Sequence, residues 1–363
     1  MAATSHPLAS LAAIDVLRAG GNAADAAVTA CAVLCVVEPH MTGIGGDCFA
    51  IISKPDKPVW GYNGSGRAGA KASNEALLSQ GLKAVGTSIH AVTVPGAIDA
   101  WDATLKAQGT FSLERALQPA IKYAEHGFPV ASRIASDWAA AVPKMKADPG
   151  GSKHYLSNGA APREGDVIKL PALAATLKEI AKKGARAFYE GAIADDMVQT
   201  VSKRGSFLTA EDFANHRGEE QTAVSTNYRG LDLLELPPNG QGLVALVMLN
   251  ILENFDMKSL SPLSAERFHL QLEAARLGYA VRDTHISEPK TMRADVAKLL
   301  DKAWAKQLAA KIDPSKRVPL PPAPTPGDQT VYLTVVDKDR NAVSFINTLY
   351  STFGLGLCTE KTS

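Results

Sequence analysis

The sequence predicts an α+β fold in which helices and antiparallel strands are segregated, and three observations carry that expectation. Helical periodicity opens the chain and dominates its middle, two hairpin patterns flank that region, and the elements do not alternate as in a doubly wound sheet. Leu8, Leu11, Ala12 and Val16 recur at helical spacing, and Gly20-Gly21 stop the helix as a left-handed cap would. Asn22 then caps a second helix, Ala23 to about Val37, which ends near Pro39. That helix is apolar nearly all round, so burial on both sides is expected.

Thr42-Gly43-Ile44-Gly45-Gly46-Asp47 leads into an apolar strand, Cys48 to Ile52, and a second strand near Val59–Tyr62 completes a hairpin across Pro55-Asp56. The glycine segment lacks the Gly-Lys-Ser/Thr ending of a phosphate loop and precedes its strand, so it reads as a tight helix-to-strand turn. Helices are expected at about 96–107, 112–126, 131–147, 171–182, 189–203, 241–254, 264–283 and 294–311, with strand-like pieces at Gln221–Tyr228 and Leu231–Leu236. Between Arg317 and Gly327 five prolines exclude both a helix and an inner strand, leaving an extended linker.

The clearest hairpin follows. Thr330–Val336 alternates, with Val331, Leu333 and Val335 on one face and Thr330, Tyr332 and Thr334 on the other. Asp337-Lys338-Asp339-Arg340-Asn341 supplies turn residues, and Ala342–Leu349 returns. A three-residue loop would pair Asp337 with Asn341 and set Thr348 opposite Thr330; a two- or four-residue loop would shift the pairing by one. In each case Thr348 lies beside the start of the first strand.

With 363 residues the chain is long enough for one large domain or about two. Lys+Arg 38 against Asp+Glu 37 leaves a formal charge of +1, without the basic excess a nucleic-acid or anionic-membrane surface requires. No apolar run is long enough to span a bilayer, and residues 1–20 show no basic stretch followed by an apolar one, so no secretory signal is visible and the compartment stays open. Cys31, Cys35, Cys48 and Cys358 form neither a C-x-x-C motif nor a disulfide framework, and Cys31 and Cys35, four apart on one helix face, read as two small buried hydrophobes. The eight histidines show no metal-ligand spacing, and no G-x-S-x-G elbow is present.

Thr330 stands out by context, at the start of a strand just after the proline-rich linker. A threonine hydroxyl needs a base to act as a nucleophile. If the Gln329–Thr330 bond were cut, the new α-amine, with a reference pKa of about 7.7–8.0, would sit on the same residue and could serve as that base. The hydroxyl could make the cut itself, attacking the Gln329 carbonyl in an N→O acyl shift. Taken locally, an ordinary strand threonine is the better explanation of the residue.

Several ordered segments together resemble the γ-glutamyltranspeptidase family: Gly20–Val28, Glu38–Asp47, Val94-Pro95-Gly96, Leu208–Phe213, Tyr228-Arg229-Gly230, Pro237–Gly242 with Met248–Glu253, and above all Asp328–Asp337 with Asn341-Ala342-Val343-Ser344. The last is similar to the junction at which that family's precursor cleaves itself. The resemblance implies an N-terminal-nucleophile hydrolase fold, an αββα sandwich, with a large subunit of about residues 1–329 and a small subunit starting at Thr330. It implies that Thr330 is both the processing and the catalytic nucleophile, that Thr348 hydrogen-bonds it, and that Gln329–Thr330 is the cleaved bond. The family reaction is acyl transfer from a γ-glutamyl amide such as glutathione to water or an amino acid, with no metal or organic cofactor and with the two subunits held as a heterodimer.

Three departures from the family pattern set alternatives. The arginine expected to clamp the substrate carboxylate falls about two positions late, as Arg67 within Asn63-Gly64-Ser65-Gly66-Arg67-Ala68. This points as well to the family's acylase branch, acting on glutaryl or cephalosporin-type side-chain amides. Tyr350 stands where many transpeptidases have an asparagine. The sequence ends at Ser363, before the family's Gly-Gly oxyanion donors and Ser-Ser substrate contacts would follow, so an incomplete sandwich is expected and an inactive fragment is a third reading.

Overall fold

The computed structural model describes residues 1–317, 319 and 330–363. Most of the proline-rich linker and Gln329 lie outside the described residues. The chain divides into two compact units. The first holds 1–58, 62–220 and the described part of 327–363; the second holds 59–61 and the described part of 221–326.

In the first unit, α1 (Pro7–Arg18) starts on His6, whose Nδ1 accepts from the Leu8 N–H at 3.1 Å. The second helix, α2 (Ala23–Val37), has the bounds the sequence predicts, and all fifteen of its residues are buried. Its N-terminus is held twice over. Asn22 and Asp25 form a reciprocal capping box, and the fully buried Asp25 carboxylate also accepts from Thr110 N, Thr110 Oγ1 and Phe111 N at 2.7–2.8 Å. These charge-assisted bonds offset the cost of burying the acid.

The strands are β1 (Ala2–Ala3), β2 (Asp47–Ser53), β3 (Trp60–Gly64), β4 (Phe128–Pro129), β5 (Val167–Ile168), β6 (Glu219–Gln221), β7 (Val224–Tyr228), β8 (Leu231–Glu235), β9 (Val331–Val336) and β10 (Ala342–Thr348). The main sheet runs β1-β9-β10-β2-β3-β6; β4–β5 and β7–β8 form separate pairs. Alternation along β2, β9 and β10 puts Cys48, Ala50, Ile52, Val331, Leu333, Val335, Val343 and Phe345 on one buried face, and α2 packs against β9 and β10. The other face carries Asp47, Phe49, Ile51, Tyr332, Ser344, Ile346 and Thr348, all exposed or half-buried.

Among the three loop lengths left open, the C-terminal hairpin adopts the three-residue one. Ala342 faces Val336 and Asn347 faces Val331, and the Asp337 N–H donates to the Asn341 carbonyl at 3.1 Å. Asp337 organises the turn. Its Oδ1 accepts from Asp339 N at 2.9 Å and Asn341 N at 3.0 Å, and its Oδ2 from Asn341 Nδ2 at 2.8 Å and Ala23 N at 3.0 Å. The last bond fastens the turn to the first residue of α2.

In the second unit the β7–β8 hairpin accompanies helices Leu243–Leu252 and Ala265–His285, whose Leu246, Val247, Ile251, Ala274 and Leu277 share one core cluster. Thr226 donates to the buried Asn250 at 2.6 Å, and Lys302 also reaches Asn250 and Glu253, each at 2.6 Å.

Two expected helices are each split. The one over 189–203 becomes Arg186–Tyr189 and Ala192–Ser202, because Gly191 adopts φ +83° between them. The one over 294–311 becomes Val296–Leu299 and Lys302–Ala309, with Asp301 leaving the helix to cap Trp304 N at 2.7 Å. The expected strand 221–228 likewise divides into β6 and β7. Helices Asn74–Ser79, Pro149–Tyr155 and Ala210–Asn215 are too short to print a period in the sequence.

Burial alone would raise the Asp337 carboxyl, but the bonds from the Asn341 side chain, Ala23 N–H, Asn341 N–H and Asp339 N–H together hold it below its usual range. Its ionised form therefore stabilises the fold above the unfolded value of about 3.9, and this contribution is lost as pH falls through the lower folded value. Asp337→Ala is expected to lower unfolding stability by about 1.5–3 kcal/mol at pH 7. In urea titrations that deficit should shrink toward pH 3; an equal deficit at both pH values would show that the ionised carboxyl is not its source.

Candidate active site at the start of the C-terminal hairpin

The hairpin register carries Thr330, just before β9, to a place opposite Thr348 at the end of β10. Their hydroxyls lie 2.9 Å apart, and Thr330 is exposed on the open face of the sheet. Thr348 Oγ1 also accepts from the Tyr350 N–H at 2.8 Å. Tyr350 adopts φ +70°, in the left-handed region, and its side chain is 70% exposed. Thr348 Oγ1 thus joins the start of β9 to the backbone that follows β10, and either hydroxyl of the Thr330–Thr348 pair can act as the donor.

The end of β10 is held from below by Asn347, which is fully buried. Its Nδ2 donates to Thr42 Oγ1 at 2.8 Å and to the Gly43 carbonyl at 3.1 Å, and its Oδ1 accepts from Trp101 Nε1 at 3.3 Å. The glycine turn predicted between α2 and β2 thus wraps the strand end that carries Thr348. A Cβ on Gly46 would lie 2.0 Å from the Thr348 carbonyl oxygen, so only glycine permits this approach.

On the other side of β10, Thr348 faces Asp47, the first residue of β2. Asp47 Oδ1 accepts from Gly66 N at 2.9 Å, which brings the Gly64–Arg67 segment to the same end of the sheet. Burial pushes the Asp47 carboxyl up to about 6, and the Gly66 bond only partly opposes this. Arg67, the residue read as a carboxylate clamp, is exposed and pairs with Glu219 of β6 at 2.5 Å. Thr330, Thr348 and the segment bearing Arg67 are therefore brought to one end of the sheet, while Gln329 lies outside the described residues.

Asp47, Asn347 and Glu219 were not singled out from the sequence. Strand parity offered one signal, since Asp47 shares a face with Phe49 and Ile51; the Arg67–Glu219 pair, 152 residues apart, offered none. Cys31, Cys35 and Cys48 are buried free thiols. Among the described residues no group of three His, Cys, Asp or Glu side chains is placed to hold a metal, and no helix is long and apolar enough to cross a membrane.

Gly46→Ala forces a side chain against backbone and should destabilise the protein by about 1–3 kcal/mol. Gly45→Ala, whose Cβ would meet nothing within 4 Å, should cost far less. Thermal unfolding of the two variants side by side checks this; equal losses would refute the tight approach at Gly46.

The family model for gamma-glutamyltranspeptidase matches residues 9–362. The chain is 40% identical to the glutathione hydrolase-like YwrD proenzyme of Bacillus subtilis, over 98% of its own length and 67% of that protein. It is 35% identical to the oxamate amidohydrolase proenzyme of Klebsiella pneumoniae, over 100% of its own length and 69% of the relative's. It thus spans about two thirds of the length of these curated relatives. Among solved structures, the cephalosporin acylase from Bacillus halodurans matches with TM-score 0.91 at 38% identity, over 99% of this chain and 67% of that one. The γ-glutamyltranspeptidase of Helicobacter pylori matches with TM-score 0.82 at 32% identity, over 87% of this chain and 93% of that one. With the strand order, the paired threonines and these likenesses in agreement, the chain belongs to the γ-glutamyltranspeptidase family and has the fold of the N-terminal-nucleophile hydrolases.

Proposed function

We propose that this protein is a γ-glutamyltransferase or hydrolase that acts on glutathione and related γ-glutamyl amides through an acyl-threonine intermediate, after cutting its own Gln329–Thr330 bond. The observation that carries the reading is the 2.9 Å contact between the exposed Thr330 hydroxyl and Thr348. In the self-cleavage step Thr330 Oγ attacks the Gln329 carbonyl carbon, the C–N bond breaks, and the Thr330 nitrogen takes the proton. Water then hydrolyses the resulting ester, freeing the Gln329 carboxylate and the Thr330 hydroxyl. Residues up to 329 form the large subunit of a heterodimer, and Thr330 begins the small one.

In the catalytic cycle the Thr330 α-amine accepts the hydroxyl proton as Oγ attacks the substrate amide carbonyl, and passes it to the leaving amine. Thr348 orients the nucleophile throughout. Water or an amino acid then resolves the acyl-threonine, and no metal or organic cofactor enters the chemistry. Arg67 is the residue read as holding the donor's α-carboxylate.

One observation favours a second reading, an acylase of other side-chain amides, of glutaryl or cephalosporin type, whose acyl group lacks the γ-glutamyl α-amino group. Arg67 lies about two positions from where the family pattern places its arginine and is engaged with Glu219, so the contact that selects a γ-glutamyl donor is the part of the pattern that differs here. The cephalosporin acylase from Bacillus halodurans and the oxamate amidohydrolase are relatives named for substrates other than γ-glutamyl amides.

Denaturing electrophoresis of the full gene product is expected to show two bands that merge into one in Thr330→Ala. A single uncleaved band in both would instead assign a non-catalytic protein. Thr348→Val should slow turnover by about tenfold, the worth of one hydrogen bond. Competing γ-glutamyl and glutaryl anilides separates the two substrate readings: preference for the γ-glutamyl donor supports the first, and preference for the glutaryl donor the second.

A further inference from the structure

The Gly64–Arg67 loop is tied into a small closed ring of contacts at the Thr348 end of the sheet. The Gly46 carbonyl accepts from Gly96 N and Ala97 N, each at 3.0 Å, and Val94 N donates to the Arg67 carbonyl at 3.0 Å. Gly66 N donates to Asp47 Oδ1 at 2.9 Å, returning to the residue beside Gly46. The approaches are close enough that a Cβ on Gly66 would fall 1.5 Å from the Val94 oxygen and one on Gly96 would fall 1.9 Å from the Gly64 oxygen. The links at Gly46 and Arg67 are backbone to backbone. The link at Asp47 is made by a side chain, and it joins the loop to the strand facing Thr348.

Registers on both sides of β10 put Thr330, Thr348 and Asp47 in one row across three adjacent strands, on the same face of the sheet. The row begins at the nucleophile and ends at the carboxyl that holds the loop. We propose that Asp47 is a positioning residue, which fixes the Gly64–Arg67 loop, and with it the donor-binding arginine, at a set distance from the Thr330 hydroxyl. The proposal rests on the reading of Arg67 as the residue that receives the donor's carboxylate.

Two physical points support it. A carboxylate accepts an N–H more strongly than an amide does, so an acid is the better anchor for a glycine loop that has no side chain of its own at Gly66. Burial pushes this carboxyl up to about 6, so holding an acid here is unfavourable for folding near neutral pH. Keeping it is explained by what it holds.

The test compares Asp47→Ala, which removes the acceptor, with Asp47→Asn, which keeps an acceptor oxygen. Amide hydrogen exchange of the 63–68 segment reports the loop, and steady-state kinetics with a γ-glutamyl anilide report the donor site. Asp47→Ala is expected to speed exchange in 63–68 by about tenfold and to raise KM by about tenfold, while kcat stays within about threefold. Asp47→Asn should keep exchange and KM within about threefold of the wild type.

Unchanged exchange in Asp47→Ala overturns the proposal. So does an Asp47→Asn variant as impaired as Asp47→Ala, which would show that the retained acceptor oxygen does not hold the loop, and so does a fall in kcat at constant KM, which would place Asp47 in the chemical step. Repeating the exchange measurement in Thr330→Ala keeps the loop test independent of turnover. If the wild type neither cleaves nor acts on the anilide, the proposed activity fails while the exchange comparison still decides the role of Asp47.

Discussion

The position of the Thr330 hydroxyl depends on the register of one hairpin, and that register depends on the turn at its far end. Side chains in a strand alternate between faces, so a slip by a single residue would turn Thr348 into the core and bring buried Asn347 out to meet Thr330. Two constraints prevent the slip. Asp337 binds three groups of its own turn and the N-terminus of α2, so the loop length cannot change without breaking that set. At the other end, Asn347 has its amide paired with Thr42, Gly43 and Trp101 inside the protein. Exposing it would leave buried partners unsatisfied.

The same logic explains why so apolar a helix as α2 lies under the site. It packs on the buried face of β9 and β10, so the hairpin has a rigid floor on one side and presents its polar row on the other. The glycine turn that follows α2 lets backbone approach the end of β10 at a distance no side chain would allow. Rigidity and close approach are what the role proposed for Thr330 requires, because a small displacement of either threonine breaks their contact.

Much of the architecture was legible in local pattern. The second helix was readable to the residue from its cap and its apolar run, and the C-terminal hairpin from alternation and turn residues. Where the reading failed, the cause was local: one glycine at φ +83° split a periodic segment, and one aspartate preferred to cap the next turn rather than continue a helix. Short helices escaped because a period cannot be seen in fewer than two turns.

By itself the sequence singled out the residues whose roles are proposed, Thr330, Thr348 and Arg67, because the segments that resemble the family are read directly along the chain. It also limited the hairpin register to three possibilities. Only the tertiary structure chose among them, since the energy that selects one comes from the Asp337–Ala23 and Asn347–Thr42 contacts, made between residues some three hundred positions apart. Only the fold, likewise, paired Arg67 with Glu219 and set Asp47 beside Thr348. Partners brought together by sheet order leave no periodic trace along the chain.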